Sequence, residues 1–170
     1  MTTVLLTGAS GLVGSRVLPR LVASGFECRA LVRGEADLSP GATAVRGDLL
    51  DPDSLQAAAE GVDAVVHLAA LFRTDDDDAI WRANLDGTGN LVDAVRSHSP
   101  GARFVMASTS NVYDRDGARP AQETDTCSPT QAYPASKVAA ENLLRDSGLT
   151  WNILRLPFVY GDGDGHLASL

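Results

Sequence analysis

A short apolar run, TTVLLT (2–7), breaks into TGASGLVG, which places glycines at positions 8, 11 and 14. The apolar residues that follow, Val17, Leu18, Leu21 and Val22, recur at helical spacing until Gly25. A buried strand, a tight turn and a helix packing back along the strand begin a βαβ unit. That beginning commits the chain to a sheet covered by helices. Each glycine has its own task there. Gly8 permits the turn, Gly11 lets an anionic ligand approach the backbone, and Gly14 lets the helix pack on the strand. Free N–H groups at the helix start then face the anion, an arrangement that suits a pyrophosphate. The spacing is GxxGxxG rather than GxGxxG. Pro19 falls inside the helix and is expected to bend it.

The alternation continues along the chain. FECRALVR (26–33), ATAVRGDL (42–49), VDAVVHLAA (62–70) and the segments 102–108 and 150–155 read as strands. DPDSLQAAAEG (51–61) reads as a helix with Asp51 at its N-cap, Pro52 at its first position and Gly61 at its end. Further helices are expected over about 78–98 and 133–147. Near-continuous apolar strands separated by helices make a parallel sheet with both faces covered. Ligands of such sheets bind beyond the carboxyl ends of the strands. The segments to search are therefore Gly8–Gly14, Val32–Gly34, Asp48, Leu68–Ala70, Ser108–Tyr113 and Arg155–Tyr160.

Charge and composition narrow the function. A net charge of −8 argues against nucleic acid and against an anionic membrane surface as partners. No apolar run reaches the ~20 residues of a membrane span, and the N-terminus lacks the basic region of a signal peptide. Cys28 and Cys127 match no metal spacing and read as reduced thiols of a cytoplasmic protein. The run DDDD (75–78) reads as a solvated loop whose carboxylates favour the N-terminus of the next helix, and no metal site is expected. His67 is expected to pack without acid–base work, while His98 and His166 have no evident partners. Trp81 and Trp151 read as core or interface residues.

Two further features point to chemistry. The second strand ends in Val32 and Arg33, where an acidic residue would hold a ribose 2′-hydroxyl. A guanidinium suits a 2′-phosphate instead, so the residues favour NADP over NAD. The other feature is YPASK (133–137). Thirteen of the fourteen basic residues are arginine, and the single lysine, Lys137, lies four residues after Tyr133. That spacing puts both on one helix face. A nearby ammonium lowers a phenol's pKa, and its rotatable donors suit ribose hydroxyls. Pro134 disfavours helical geometry at Tyr133, so the tyrosine is expected at the helix cap. Ser108, Thr109 and Ser110, at the end of the fifth strand, offer hydroxyls to a carbonyl or alcohol at the same edge.

Taken in order, these segments resemble the short-chain dehydrogenase/reductase superfamily, in its extended branch of NAD-dependent epimerases and dehydratases. TGASGLVG is similar to the branch's cofactor turn, GDL (47–49) to its adenine-contacting turn and HLAA (67–70) to a segment lining the cofactor. NLDGTGNLVDA (84–94), STSNVY (108–113), YPASK and LRLPFVYGDGD (154–164) match its later motifs. The resemblance implies a single Rossmann-like domain over 1–170, doubly wound with strand order 3-2-1-4-5-6 and helices on both faces. It implies Tyr133 as proton donor and acceptor, Lys137 as its partner, Thr109 as the substrate-binding hydroxyl with Ser108 beside it, and Asn84 in a supporting role. Cofactor contacts are implied for Gly8, Ser10, Gly11, Leu12, Val13, Gly14, Arg33, Asp48, Leu49, Leu68, Ala69, Ala70, Tyr133, Lys137, Pro157 and Val159.

The reaction so implied is hydride transfer at an alcohol or carbonyl carbon of a small-molecule substrate, a sugar nucleotide or a small carbonyl compound, alone or as the opening of an epimerisation or dehydration. Extended members continue beyond the point where this chain stops. Most of the substrate region is therefore expected to be missing, with truncation or a second chain as the two explanations. Exposed apolar surface there is expected to favour a homo-oligomer. The alternative is a dinucleotide-binding module without turnover of its own.

Overall fold

Every residue of β1 (Thr3–Thr7) is buried, as expected of a central strand with neighbours on both edges and helices on both faces. The computed structural model describes residues 1–113, 119–162 and 164, so His166 lies outside the described residues. β2 (Glu27–Val32), β3 (Ala42–Arg46), β4 (Ala64–His67), β5 (Arg103–Thr109) and β6 (Thr150–Leu156) complete one sheet in the order β3-β2-β1-β4-β5-β6. All its strand pairs are parallel. The order reverses between β1 and β4, which opens a crevice at their carboxyl ends. Register aligns Thr7 with both Leu31 and His67, and His67 with Met106, so those ends form one edge.

The two faces carry separate cores, because successive strand residues point opposite ways. Leu5, Val65, Phe104 and Met106 pack against residues of α2 (Pro52–Ala59), α4 (Gly87–His98) and α5 (Ala132–Asp146). Leu6, Cys28 and Ala30 pack against Leu18 of α1 (Gly14–Ala23). α1 runs unbroken through Pro19. Both cysteines are free thiols, and none of the described helices is long and apolar enough to cross a membrane.

Two local expectations need correction. The helix expected over 78–98 is divided into α3 (Asp77–Trp81), a π-helical turn (Arg82–Asp86) and α4. The wider turn places Asn84 in the interior, 1% exposed, and the Thr88 hydroxyl donates to the Asn84 carbonyl at 2.6 Å. Asp51 does stand at the N-cap of α2 with Pro52 after it, but its side chain makes no capping bond. Tyr133 is inside the first turn of α5, whose N-cap is Gln131. Pro134 is tolerated there because first-turn N–H groups have no intrahelical acceptor to lose. The acidic run behaves as expected, since the Asp76 carboxylate accepts the Ala79 N–H at 2.9 Å and caps α3.

Candidate active site

The glycine turn shows why each of its positions lacks a side chain. Gly8 has φ +74°, and a Cβ there would stand 2.7 Å from the Ala69 nitrogen. A Cβ on Gly14 would overlap the Gly8 carbonyl oxygen and reach 2.8 Å from the Ala9 Cα. Gly11 differs. A Cβ there would meet only the Gly8 carbonyl oxygen, at 3.3 Å, and the residue is exposed. The fold needs Gly8 and Gly14, whereas Gly11 keeps open space above the backbone. The N–H groups of Leu12, Val13 and Gly14 meet no backbone carbonyl among the described residues. A helix start of this kind, beside exposed Ser10, is suited to an anion.

The other cofactor candidates reach the same edge. Leu68 and Ala69 extend β4 and bond to Thr7 through its carbonyl and its hydroxyl, both at 3.2 Å. Ala70, next along the chain, is exposed. Arg33 follows β2 and is exposed. Asp48 closes its own turn, its carboxylate accepting the Leu50 N–H at 2.9 Å, and the Leu49 carbonyl is held by Asn90 at 2.8 Å. Pro157 and Val159 lie on the segment after β6. Arg16 of α1 joins that segment to the glycine turn by donating to the carbonyls of Asp162 and Leu12.

A buried chain of polar groups links these parts, and its direction is determined. The Thr88 hydroxyl gives its proton to the Asn84 carbonyl, so it accepts from His67 Nε2 at 3.0 Å. Burial, assisted by the Lys137 charge, pushes the His67 pKa down to about 3, so the ring is neutral and Nδ1 is an acceptor. Thr7 therefore donates to Nδ1 at 2.7 Å and accepts the Ala69 N–H. The Asn84 side chain carries the linkage onward. It holds both the N–H and the carbonyl of Leu71 at 2.8 Å, and donates to Ser136 Oγ at 3.1 Å. Ser136 in turn donates to the Tyr133 carbonyl at 2.8 Å.

Tyr133, Lys137 and Glu141 follow one another at four-residue spacing on α5. Burial lowers the Lys137 pKa to about 8, and the Glu141 charge opposes that fall. Burial raises the Tyr133 phenol above its usual value, with no opposing effect from Lys137. The lowering of the phenol expected from the lysine is thus not seen. Desolvation alone sets the direction, and Lys137 is itself only 1% exposed.

The two neighbouring hydroxyls of β5 face different surroundings. Ser108 donates to Glu141 at 2.5 Å, inside the core between β5 and α5. That corrects the pairing of Ser108 with Thr109 as substrate hydroxyls, because strand alternation turns them to opposite faces. Thr109 Oγ1 accepts the Asn111 N–H at 3.2 Å, at the start of a short turn, Ser110–Val112, against which α5 packs.

Two residues were not anticipated from sequence. Glu141 is fully buried and receives Ser108, Arg145 at 2.9 Å and Arg155 at 2.6 Å, while Arg155 also reaches the Tyr113 hydroxyl at 2.8 Å. Its place four residues after Lys137 was the available signal. Phe72 is 49% exposed and lies against Tyr133, ring centroids 5.4 Å apart. An aromatic residue just past the HLAA segment was its signal.

Comparison with known proteins agrees with this arrangement. The profile of the NAD dependent epimerase/dehydratase family matches residues 4–169. The chain is 34% identical to a 2-alkyl-3-oxoalkanoate reductase of Stenotrophomonas maltophilia, over 96% of this chain and 53% of that protein. It is 32% identical to a UDP-glucose 4-epimerase of Streptomyces lividans, over 82% of this chain and 46% of that one. A short-chain dehydrogenase/reductase superfamily protein from Agrobacterium tumefaciens, solved with bound NAD, superposes with a TM-score of 0.77 at 32% identity, covering 90% of this chain and 48% of its own. The chain spans about half the length of the curated relatives it matches. With a six-stranded sheet of this order, a glycine cradle at its crevice and a family profile along nearly its whole length, the chain belongs to the NAD dependent epimerase/dehydratase family, the extended branch of the short-chain dehydrogenases and reductases.

Proposed function

We propose that the chain carries the cofactor site and the proton-transfer residues of an NAD(P)-dependent oxidoreductase acting on a carbonyl or alcohol. The observation that carries this reading is the row Tyr133–Lys137 on α5, at the same sheet edge as the open Gly11 cradle. The cradle fits a pyrophosphate, because its N–H groups are available and no side chain fills the space above Gly11. A nicotinamide cofactor, when bound, supplies the hydride exchanged with the substrate carbon. In the reducing direction, Tyr133 gives its proton to the carbonyl oxygen as the carbon is reduced, and an alcohol results. A phenol whose pKa burial has raised remains protonated at neutral pH and is ready for that step. Lys137, with a pKa of about 8, is largely charged at neutral pH and balances the phenolate that Tyr133 becomes. Thr109 holds the reacting oxygen.

Both reductases and epimerases are among the relatives, and the hydride and proton transfer proposed here is the step the two share. A second reading is a dinucleotide-binding module without its own turnover. Tyr133→Phe separates the two. Carbonyl reduction followed by cofactor absorbance is expected to fall at least ~100-fold, with cofactor affinity kept. A variant that turns over like the parent removes Tyr133 from the mechanism.

Exposed Arg33 supports NADP as the preferred cofactor, with NAD as the weaker ligand. Calorimetry is expected to show NADPH binding about 10-fold tighter than NADH, a 1.4 kcal/mol difference that Arg33→Ala abolishes. Equal affinities in the parent would refute the assignment. We further place the protein in the cytoplasm, where both thiols stay reduced. Exposed Leu154, Phe158 and Tyr160 around β6 support a homo-oligomer.

A further inference from the structure

The wall beside Tyr133 has a composition that the cofactor site leaves unused. Phe72 packs its ring against Tyr133, yet half of that ring faces solvent. The Arg73 guanidinium lies over Phe72, 4.6 Å from the ring centroid, and its side chain is 35% exposed. Its Nη1 stands 3.7 Å from the carboxylate of Asp164, beyond hydrogen-bond distance, and the Asp164 side chain is 3% exposed. The Phe72 ring therefore touches both the Tyr133 ring and the Arg73 guanidinium.

We propose that Phe72 and Arg73 are the substrate-selecting wall of this site and that they select an oxo acid: a ketone with its carbonyl at Tyr133, an apolar stretch over Phe72 and a carboxylate at Arg73. This rests on the reading of Tyr133 as the proton donor. The chemistry matches each part of the wall. The Phe72 ring removes an alkyl stretch from water, its contact with Tyr133 places that stretch beside the phenol, and the planar guanidinium takes a carboxylate through two parallel donors.

Equilibrium binding to the chain saturated with oxidised NADP tests this without turnover, using 5-oxodecanoate, the neutral 5-decanone and UDP-glucose as probes. The oxo acid is expected to bind at least about 10-fold more tightly than the neutral ketone. Arg73→Gln is expected to erase that difference while leaving the neutral ketone's affinity unchanged. Phe72→Ala is expected to weaken both ketones about 10-fold. Phe72→Leu, which keeps apolar surface, is expected to restore most of the loss. Equal affinity for the two ketones in the parent, or UDP-glucose binding more tightly than either and indifferent to both substitutions, overturns the proposal. Saturation with NADP is measured first in the same titration. Failure at that step overturns the underlying oxidoreductase reading and this inference with it, whereas failure with the ketones alone overturns only the wall.

Discussion

Gly14→Ala is expected to unfold the domain, whereas Gly11→Ala is expected to fold and to lose its nucleotide. A methyl at Gly14 has nowhere to go, because the atoms it meets belong to the backbone of Gly8 and Ala9 and cannot rotate away. Separating α1 from β1 to make room would open the contact between Leu18 and Leu6. A cost above about 4 kcal/mol follows, a large share of a domain's usual margin of stability. A methyl at Gly11 meets one carbonyl oxygen at 3.3 Å and otherwise points into the open cradle. It should therefore cost little stability, yet it stands where the pyrophosphate approaches, and an affinity loss of about 10-fold or more is expected. Urea melts with and without NADPH separate the two effects. A Gly14→Ala protein with the parent's midpoint would show that the turn has slack this geometry denies.

The second large effect is expected at Glu141. Burial pushes its carboxyl pKa up, but hydrogen bonds from Arg155, Ser108 and Arg145 more than offset this, and the net shift is downward. Arg155 is correspondingly held more firmly charged, chiefly by its hydrogen bond to Glu141. Glu141→Ala leaves that guanidinium nearly buried and unpaired, at a cost of roughly 3–5 kcal/mol. Replacing both partners with apolar residues, as in Glu141→Leu with Arg155→Met, is expected to cost less than the single change, because the Arg155 guanidinium is then no longer left without its carboxylate. The acid side has a definite sign. A carboxyl whose pKa is depressed by folding stabilises the native state above its unfolded value of 4.5, and that contribution is lost as pH falls through the folded value. Urea midpoints below pH 4.5 should therefore fall more steeply for the parent than for Glu141→Gln. Parallel profiles, or a double variant worse than the single one, would contradict this account.

The strand–helix alternation and the glycine turn were legible because each rests on local pattern: apolar runs, helical spacing and the position of three glycines. The strand order followed from the family resemblance and agrees with the sheet. What escaped reading depended on contacts distant in sequence. The π-turn at Arg82–Asp86 is a response to Asn84 grasping the backbone of Leu71 and Thr88 taking the Asn84 carbonyl, which no periodicity announces. Ser108 and Thr109 looked equivalent in the sequence, and only the pairing of Ser108 with Glu141 across to α5 distinguishes them. Pro134 misled in the opposite way. A general disfavour for helix before proline was outweighed by its position in a first turn, where the missing N–H has no consequence. The direction of the Tyr133 shift was not legible. Burial depends on the packing of the whole domain; it raises the Tyr133 phenol, and at Lys137 it outweighs the Glu141 charge.

The one-way chain from Ala69 through Thr7, His67 and Thr88 to Asn84 also constrains how such a sequence can vary. Each member gives one proton and takes one, so no member can be deleted singly without leaving a donor or acceptor orphaned in a dry interior. A valine at Thr7 strands the imidazole's Nδ1, and a valine at Thr88 strands its N–H. These positions, scattered over the first half of the chain, are therefore tied together in descent. A lineage that changes one must change its neighbours in step, or find a water molecule to take the vacant place.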